Sequence, residues 1–256
     1  MLKTEHKPTL RVLDILKYLS IQPDGLTLTE ISEKMKSPKS TIVPILHTMT
    51  ENNFIEYDDA LRKYSIGINT YVTGNTYLQN HSMIDIIQNE MYNIVKQCNE
   101  ICQLGILEGK EVLYIAKVDS PNPIRLISSI GSRLPAYATS LGKSLLSLCT
   151  LDELKRLYPD GLKPLTKDTI ISIDKLYDQL QIVKKTSIAI ECSETHPDIS
   201  CISTPLIKGN KVIAAVSVSI PNFRYNDEKR QQISNILLES KKRLEKLLKR
   251  NDLLFI

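Results

Sequence analysis

The segment ATSLGKSLLS contains Ser140 and Lys143, two residues whose types and spacing are capable of chemistry. A serine three residues before a lysine forms the S-x-x-K pair, in which some serine hydrolases use the lysine to activate the serine. Those enzymes also carry S-D-N and K-T-G segments, and this sequence contains neither. The alternative is a helix that begins here, whose free amides at Leu141, Gly142 and Lys143 would attract a carboxylate or other anion. We favour the helix and expect no enzyme.

Three further residues, Cys192, His196 and Cys201, are of types that bind metals, and the two thiols are also a candidate redox pair. Their spacing matches no standard zinc motif, and no fourth ligand is apparent. The chain has five cysteines, an odd number without a regular spacing, which is typical of reduced thiols in a cytosolic protein. Cys98 and Cys102 are expected to be packing residues. Metal or thiol sensing stays open as an alternative, and no cofactor is expected.

Two serines, Ser217 and Ser219, lie two residues apart in a segment predicted to be a strand, so their side chains share one face. Hydroxyls that face the interior of a sheet need hydrogen-bond partners. Those partners are either backbone groups and water or a bound polar ligand. We predict a ligand.

The composition is that of a globular protein, with 42% hydrophobic and 24% charged residues in a chain of 256. No apolar run approaches the ~18 residues that cross a bilayer. The opening MLKTEHKPTL has no apolar stretch typical of a secretion signal, so we expect a cytoplasmic protein. The net charge of +4 says little about partners, but the stretch from Lys34 to Thr50 carries three lysines and no acidic residue. Such a local basic stripe suits contacts with phosphates.

The first 66 residues predict three short helices followed by a hairpin, which is the order of a winged helix-turn-helix. The three helices are marked by leucines three residues apart from Leu10 to Leu19, by a T-L-T-E capping box at Thr27 and Glu30, and by a Ser37-Pro38 start. The predicted elements are helices over 9–20, 27–35 and 38–52 and a hairpin, the wing, over 54–66. Only a residue or two separate the second and third helices, as in a helix-turn-helix.

The rest of the chain predicts an α+β domain built on a mainly antiparallel sheet, because hairpins alternate with flanking helices. A linker helix over 67–82 precedes this domain, which we assign to residues 83–256. Predicted helices cover 83–98, 142–148, 151–157, 173–185 and 227–250. Predicted strands cover 101–107, 112–118, 124–128, 188–192, 201–207 and 212–220.

Taken together, these segments resemble the IclR family of transcriptional regulators over nearly the whole chain. The resemblance is carried by LRVLDILKYLS, LTLTEISEKM and SPKSTIVPIL in the N-terminal part, and by LPAYATSLGKSLLS and IECSETHPDISCISTPLIKGNKVIAAVSVSIPNFR in the C-terminal part. It implies a GAF-like effector domain, homodimers or homotetramers, and palindromic or near-palindromic operators. Two positions depart from the family: Pro44 stands where the recognition helix usually has arginine, and Ile199 where the effector loop has glycine.

The winged-helix order places Lys39, Ser40 and Thr41 in the first turn of the recognition helix, where side chains meet base edges and phosphates. His47 lies two turns further on. Arg62 and Lys63 in the wing, with Arg11 in the first helix, are candidates for phosphate contacts, although a lone surface arginine is commonly just solvated.

The resemblance places the effector at Ser140 and Leu141, and Gly142 belongs to the same helix start. It also matches Glu191, Cys201, Ser217 and Ser219 to effector-contacting positions. We therefore expect a ligand-responsive regulator that binds double-stranded DNA and a small polar effector. The effector is expected to carry a carboxylate for the helix start and a hydroxyl or amine for Glu191.

Overall fold

In the computed structural model, which describes residues 6–79, 82–123 and 129–250, the chain forms two compact units that divide after residue 80. The first unit holds three helices, a small sheet and a fourth helix. Its elements are α1 (Lys7–Ser20), β1 (Leu26–Thr27), α2 (Leu28–Lys34), α3 (Lys39–Glu51), β2 (Ile55–Asp58), β3 (Lys63–Ile66) and α4 (Ile68–Gln79). The antiparallel sheet has the order β1-β3-β2, and β2 and β3 form the wing. The winged helix-turn-helix prediction is confirmed.

Local capping explains where these helices begin. Thr27 and Glu30 form the predicted capping box, in which each side chain bonds the other residue's backbone amide. The prediction that Ser37 caps α3 is wrong, because the helix begins at Lys39 after an extended Pro38. The Ser37 hydroxyl instead donates to the Met35 carbonyl within the turn between α2 and α3.

Pro44 lies inside α3, which nevertheless continues to Glu51. A proline lacks the amide that would bond the Ser40 carbonyl, and this normally strains a helix interior. The ring stands on the exposed side of α3, while Ile42, Leu46 and Met49 on the opposite side pack into the core of this unit. Packing of the opposite side into the core stabilises the helix despite the hydrogen bond that is missing at the proline.

The second unit is an α+β domain, as predicted. Its elements are α5 (Ser82–Cys98), β4 (Ile101–Glu108), β5 (Glu111–Val118), β6 (Arg133–Pro135), a 3-10 turn (Ala136–Ala138), α6 (Ser140–Leu145), α7 (Leu151–Leu157), α8 (Ile173–Thr186), β7 (Ala189–Cys192), β8 (Ile199–Lys208), β9 (Lys211–Pro221), a 3-10 turn (Asn222–Arg224) and α9 (Asp227–Arg250). The six strands pair antiparallel in the order β6-β5-β4-β9-β8-β7.

Three details of this unit differ from the sequence prediction or extend it. The helix at Ser140 begins and ends earlier than predicted, at 140–145 instead of 142–148. Strand β6 was not predicted, because its three residues are too few to show a period. The strand predicted over 124–128 lies outside the described residues.

One face of the large sheet is apolar and the other carries polar side chains. The candidate site lies on the polar face. One face buries Leu104, Ile202, Val216 and Val218 under α5 and α9 in an apolar core. The other face packs with α6 and carries polar side chains at the alternate positions of β8 and β9. Among the described helices, none has the length and apolar composition needed to cross a membrane.

Candidate ligand cavity and nucleic-acid interface

Strand register brings together polar residues that are far apart in sequence. Glu191 on β7 pairs with Cys201 on β8, and Cys201 pairs with Ser219 on β9. In the next row, Ser217 on β9 pairs with Gln103 on β4. Paired residues point to the same face of a sheet, so these five side chains form one polar patch on the α6 side.

Helix α6 packs closely against the preceding 3-10 turn because of Gly142. A β-carbon at position 142 would lie 1.9 Å from the Ala136 carbonyl oxygen and 2.3 Å from the Ala136 Cα. No other residue type fits without moving the backbone of the preceding 3-10 turn. Gly142 is therefore required by packing.

The expectation of three free amides at the start of α6 is wrong. Thr139, not Ser140, is the N-cap, and its hydroxyl accepts a hydrogen bond from the Gly142 amide at 2.9 Å. The Lys143 amide donates to the Thr139 carbonyl, also at 2.9 Å. The amides of Ser140 and Leu141 are the two at this helix start that the described residues leave to a ligand.

Between α6 and the polar patch lies a cavity of about 210 Å³, which we call the Glu191 cavity. Six of the seven residues predicted to bind ligand line it, and Gly142 does not. The other lining residues were not predicted to contact the effector. The predicted ones are Ser140, Leu141, Glu191, Cys201, Ser217 and Ser219, and the additional ones are Gln103, Tyr114, Leu134, Thr139, Thr195, His196 and Ile199.

Glu191 supplies the carboxyl group of the cavity wall and is only 1% exposed. Its Oε1 accepts hydrogen bonds from the backbone amides of Glu194 and Thr195, which shape the loop after β7. Its Oε2 has no hydrogen-bond partner among the described residues. Burial raises the pKa of Glu191 from 4.5 to about 7, although the two amides and the Cys201 thiol act to lower it.

The other polar groups of the wall are hydrogen-bonded to one another. The Ser219 hydroxyl donates to the Gln103 side-chain oxygen at 2.9 Å and lies 3.2 Å from the Cys201 sulfur. Burial raises the pKa of both the Cys201 thiol and the Tyr114 hydroxyl well above their usual ranges. These two groups are therefore uncharged at neutral pH.

Lys143 is fully buried and points away from this network. Its ammonium group pairs with the carboxylate of Glu194, and the two side chains are 1% and 7% exposed. Glu194 Oε2 also accepts the Ile170 amide at 3.3 Å, and the Thr169 hydroxyl donates to the Glu194 carbonyl. The pairing of Ser140 with Lys143 expected of a serine hydrolase is absent, because Glu194 holds the lysine.

Cys192 and Cys201 lie on opposite faces of the sheet. Cys201 shares the cavity face with its partner Glu191, whereas Cys192 follows Glu191 on β7 and is exposed on the other side near Tyr225. His196 is in the loop beyond. No cluster of three metal-ligating side chains occurs within the described ranges. The placement of Cys192 and Cys201 on opposite faces disfavours the thiol pair.

The candidate nucleic-acid interface is the exposed side of α3. Ser40 and His47 are exposed there, whereas Thr41 is half-buried. The ammonium group of Lys39 donates to the Thr29 hydroxyl of α2 at 2.8 Å, and His47 lies 3.4 Å from Glu51. Lys39, Ser40 and His47 are thus all at the surface. To contact a phosphate, the Lys39 ammonium group must either break its hydrogen bond to Thr29 or bond both groups at once.

The remaining predicted cations flank α3 within the same unit. Arg62 is exposed in the turn between the wing strands, with a positive φ of 53°, and Lys63 begins β3. Arg11 lies with Lys7, Lys34 and Lys36 along a surface groove between α1 and the end of α2. The groove also contains Asp14, so its charge is mixed.

Val43 and Pro44 are surface residues of α3 that the sequence analysis did not assign to DNA contact. They lie three and four residues after Ser40, so helical spacing places all three on one exposed side. Apolar side chains on a recognition helix contact thymine methyl groups in the major groove. The helical spacing of these residues from Ser40 can be read in the sequence. Their apolar types favoured a place in the core over a place at the DNA.

Comparisons with known proteins agree over most of the chain. Residues 8–59 match the IclR helix-turn-helix domain, and residues 75–245 match the C-terminal domain of the bacterial transcriptional regulator IclR. The HTH-type transcriptional regulator KdgR of Escherichia coli is 30% identical over 226 residues, covering 87% of this chain and 85% of KdgR.

Two solved structures share the fold at lower identity. An IclR-type regulator from Alicyclobacillus acidocaldarius superposes with a TM-score of 0.86 at 24% identity, over 94% of this chain and 98% of the other. An IclR homologue from Microbacterium hydrocarbonoxydans, solved with 4-hydroxybenzoate, has a TM-score of 0.83 at 19% identity, over 95% and 100%.

Proposed function

This chain belongs to the IclR family of bacterial transcriptional regulators, and we propose that its effector is a small carboxylic acid held in the Glu191 cavity. The observation that carries this proposal is the cavity itself. It places one unpartnered carboxyl oxygen, a serine pair and the start of α6 around about 210 Å³ of space. Buried polar groups that line such a space are stabilised when a polar ligand bonds them.

The size and lining of the cavity favour a short acid that also carries a hydroxyl or an amine. Ser140, Ser217 and Ser219 offer hydroxyl groups, and Cys201 and Leu141 supply less polar surface. The Microbacterium homologue is complexed with 4-hydroxybenzoate, so a protein of this fold accommodates a hydroxy acid. Gly142 acts by allowing α6 to pack against the 3-10 turn at Ala136 and has no ligand contact in this proposal.

We propose that the response to effector is a shift between two arrangements of a dimer. An effector that binds one arrangement more tightly increases its population. The two recognition helices of the dimer then match, or fail to match, successive major grooves about 34 Å apart. Repression and activation both follow from this scheme. The protein acts on DNA in the cytoplasm and, with Lys143 held by Glu194, does not act as a hydrolase.

The double variant Ser217→Ala/Ser219→Ala tests the effector site. We expect it to lose the thermal stabilisation that wild type gains from the best acid in a screen of small hydroxy and amino acids, because the hydroxyls that orient the ligand are gone. DNA binding without effector should be unchanged. Differential scanning fluorimetry and a DNA titration measure the two properties.

Ser203→Ala is the matched control, since Ser203 is buried on the same sheet face but bonds Ser144 outside the cavity lining. It should lower the melting temperature yet keep the effector-dependent rise. A normal rise in the double serine variant would place the effector elsewhere.

We propose that DNA is contacted by α1, α3 and the wing, with Ser40, Thr41 and His47 in the major groove and Lys39, Arg11, Arg62 and Lys63 at phosphates. Val43 and Pro44 add apolar contact with thymine methyl groups. The support is the confirmed winged helix-turn-helix and the exposure of this side of α3.

Lys39→Ala should weaken binding to a random-sequence 40-base-pair duplex and reduce the slope of log K against log salt by about one unit. The reason is that a phosphate no longer neutralised by the protein keeps about one counterion on the DNA. Fluorescence anisotropy at several salt concentrations measures the slope. Lys155→Ala, which removes an exposed lysine of α7, should change neither quantity. Equal effects of the two substitutions would refute this placement of the interface.

We propose further that the chain is a homodimer or homotetramer and that α4 contributes to the contact between copies. Ile68, Tyr71 and Val72 are 57%, 66% and 56% exposed, and their spacing of three and four residues places them on one side of α4. Three adjacent large apolar side chains exposed on one helix are typical of an interface with another protein surface.

A further inference from the structure

A carboxylate in the Glu191 cavity meets few positive charges. No lysine or arginine is among the described residues that line it, and the amides of Gly142 and Lys143 are bonded to Thr139. His196 is the one lining residue whose side chain can become cationic. Its Nδ1 accepts a hydrogen bond from the Asp198 amide at 3.3 Å.

The geometry of Glu191 fixes where a proton would sit on its carboxyl group. Oε1 accepts two backbone amides, so its lone pairs already have donors. Oε2 is buried and has no hydrogen-bond partner among the described residues, although the Cys201 thiol is close enough to lower the pKa of this carboxyl. Glu191 is one of the residues that line the cavity. A proton on this carboxyl therefore occupies Oε2, from which it can be donated to a ligand in the cavity.

We propose that Glu191 binds the effector carboxylate in its protonated form, so that the acid enters the cavity together with one proton taken from solvent. The proton stays on Oε2 and is donated in a hydrogen bond to one oxygen of the ligand carboxylate. The site then holds one negative charge, that of the ligand carboxylate. If Glu191 were ionised, the site would hold two. The inference rests on the proposed function, because it concerns the same cavity and the same class of ligand.

Among the titratable groups around Glu191, Glu191 itself is the one that changes its protonation when an anion binds. Cys201 on β8 and Tyr114 on β5 face it, and burial keeps both uncharged by raising their pKa values. In the loop after β7, Glu194 is paired with Lys143, and His196 accepts the Asp198 amide. With the pKa of Glu191 raised to about 7, protonation at this carboxyl costs little at neutral pH.

The consequence is a dependence of affinity on pH with a stated sign. Below about pH 7 the carboxyl is protonated and affinity is constant. Above it, each pH unit removes a factor of about ten, because a proton must be bound with every anion. At pH 8.5 the acid should bind about 30-fold more weakly than at pH 6.0.

The test is calorimetry of the whole protein with lactate and with 4-hydroxybenzoate, each beside its uncharged amide. We expect wild type to bind at least one of the acids, about 30-fold more weakly at pH 8.5 than at pH 6.0. At pH 8.5, buffers of different ionisation enthalpy should show uptake of close to one proton per acid bound. The amides should show a much smaller change with pH, because they carry no charge.

The informative variant is Glu191→Gln, which keeps an oxygen for the two loop amides and places an NH₂ donor at the position of Oε2. Its acid affinity should not vary between pH 6.0 and 8.5, and no proton should be taken up. At pH 8.5 it should bind the acid about 30-fold more tightly than wild type. Glu111→Gln, a glutamate of the same unit outside the Glu191 cavity, should behave as wild type.

Each other outcome contradicts a distinct claim. If an acid binds equally at both pH values without proton uptake, the inference is wrong and the proposed function stands. If only amides bind, or none of the four probes binds, both fail. Carbon-13 NMR of the Glu191 carboxyl without ligand provides a check independent of the probes, since titration near 4.5 would also overturn the inference.

Discussion

Lys143→Met is expected to lower the free energy of unfolding of the C-terminal unit by about 3–5 kcal/mol, because it leaves the Glu194 carboxylate buried without its counter-charge. The ammonium group that it removes is almost fully buried against Glu194. The same carboxylate accepts the Ile170 amide, so the loop before α8 and the loop after β7 should loosen as well. Hydrogen exchange followed by mass spectrometry measures the loss and assigns it to β7, β8 and these loops.

Two controls separate this charge effect from the loss of side-chain packing. The double variant Lys143→Met/Glu194→Gln removes both charges and should recover most of the stability, since no buried ion is left unpaired. Arg133→Met breaks the exposed pair with Glu108 and should cost at most about 1 kcal/mol. If Lys143→Met costs no more than Arg133→Met, the buried pair does not have the structural role we assign to it.

Tyr71→Glu/Val72→Glu is expected to convert the protein to a monomer and to reduce its affinity for a palindromic operator by more than about 100-fold. A pair of carboxylates in an apolar contact is strongly disfavoured, and a monomer reads one half-site without the help of its partner. Light scattering should give wild type a mass of at least twice 29.0 kDa and this variant a mass near 29.0 kDa. Electrophoretic mobility shifts measure the loss of affinity.

Tyr92→Glu is the matched control, because Tyr92 is a tyrosine of α5 with a similar exposure of 56%. It should leave both the mass and the operator affinity unchanged. A dimeric Tyr71→Glu/Val72→Glu variant would show that α4 is not the interface, and a monomeric wild type would refute the oligomer proposal altogether.

Much of the fold could be predicted from the sequence because its signals are local. The capping box at Thr27 and Glu30, the apolar repeat of α9 and the turn at Gly209 each depend on residues within one or two helical turns or one hairpin. The winged helix and the antiparallel sheet follow from their order along the chain. Local signals also have limits: the start of α3 was misplaced by one residue, because Pro38 and not Ser37 ends the extended segment.

That Ser217 and Ser219 share one face could also be predicted locally, since strand alternation alone requires it. The side chains that they contact could not be predicted in this way. Glu191, Cys201 and Gln103 join them through pairing across four strands, and pairing register depends on the whole sheet. The same register places Cys192 and Cys201 on opposite faces, which removes a thiol pair that their spacing had left open.

The tertiary structure also decided the chemistry of individual groups. In the sequence, Lys143 forms an S-x-x-K motif with Ser140, but in the fold it pairs with Glu194, which is 51 residues away. In the sequence, Glu191 is one more carboxylate, but in the fold one oxygen is saturated by loop amides and the other stands unpartnered in a cavity. Periodicity reports which side of an element is buried, whereas charge and proton state depend on the atoms that burial brings into contact.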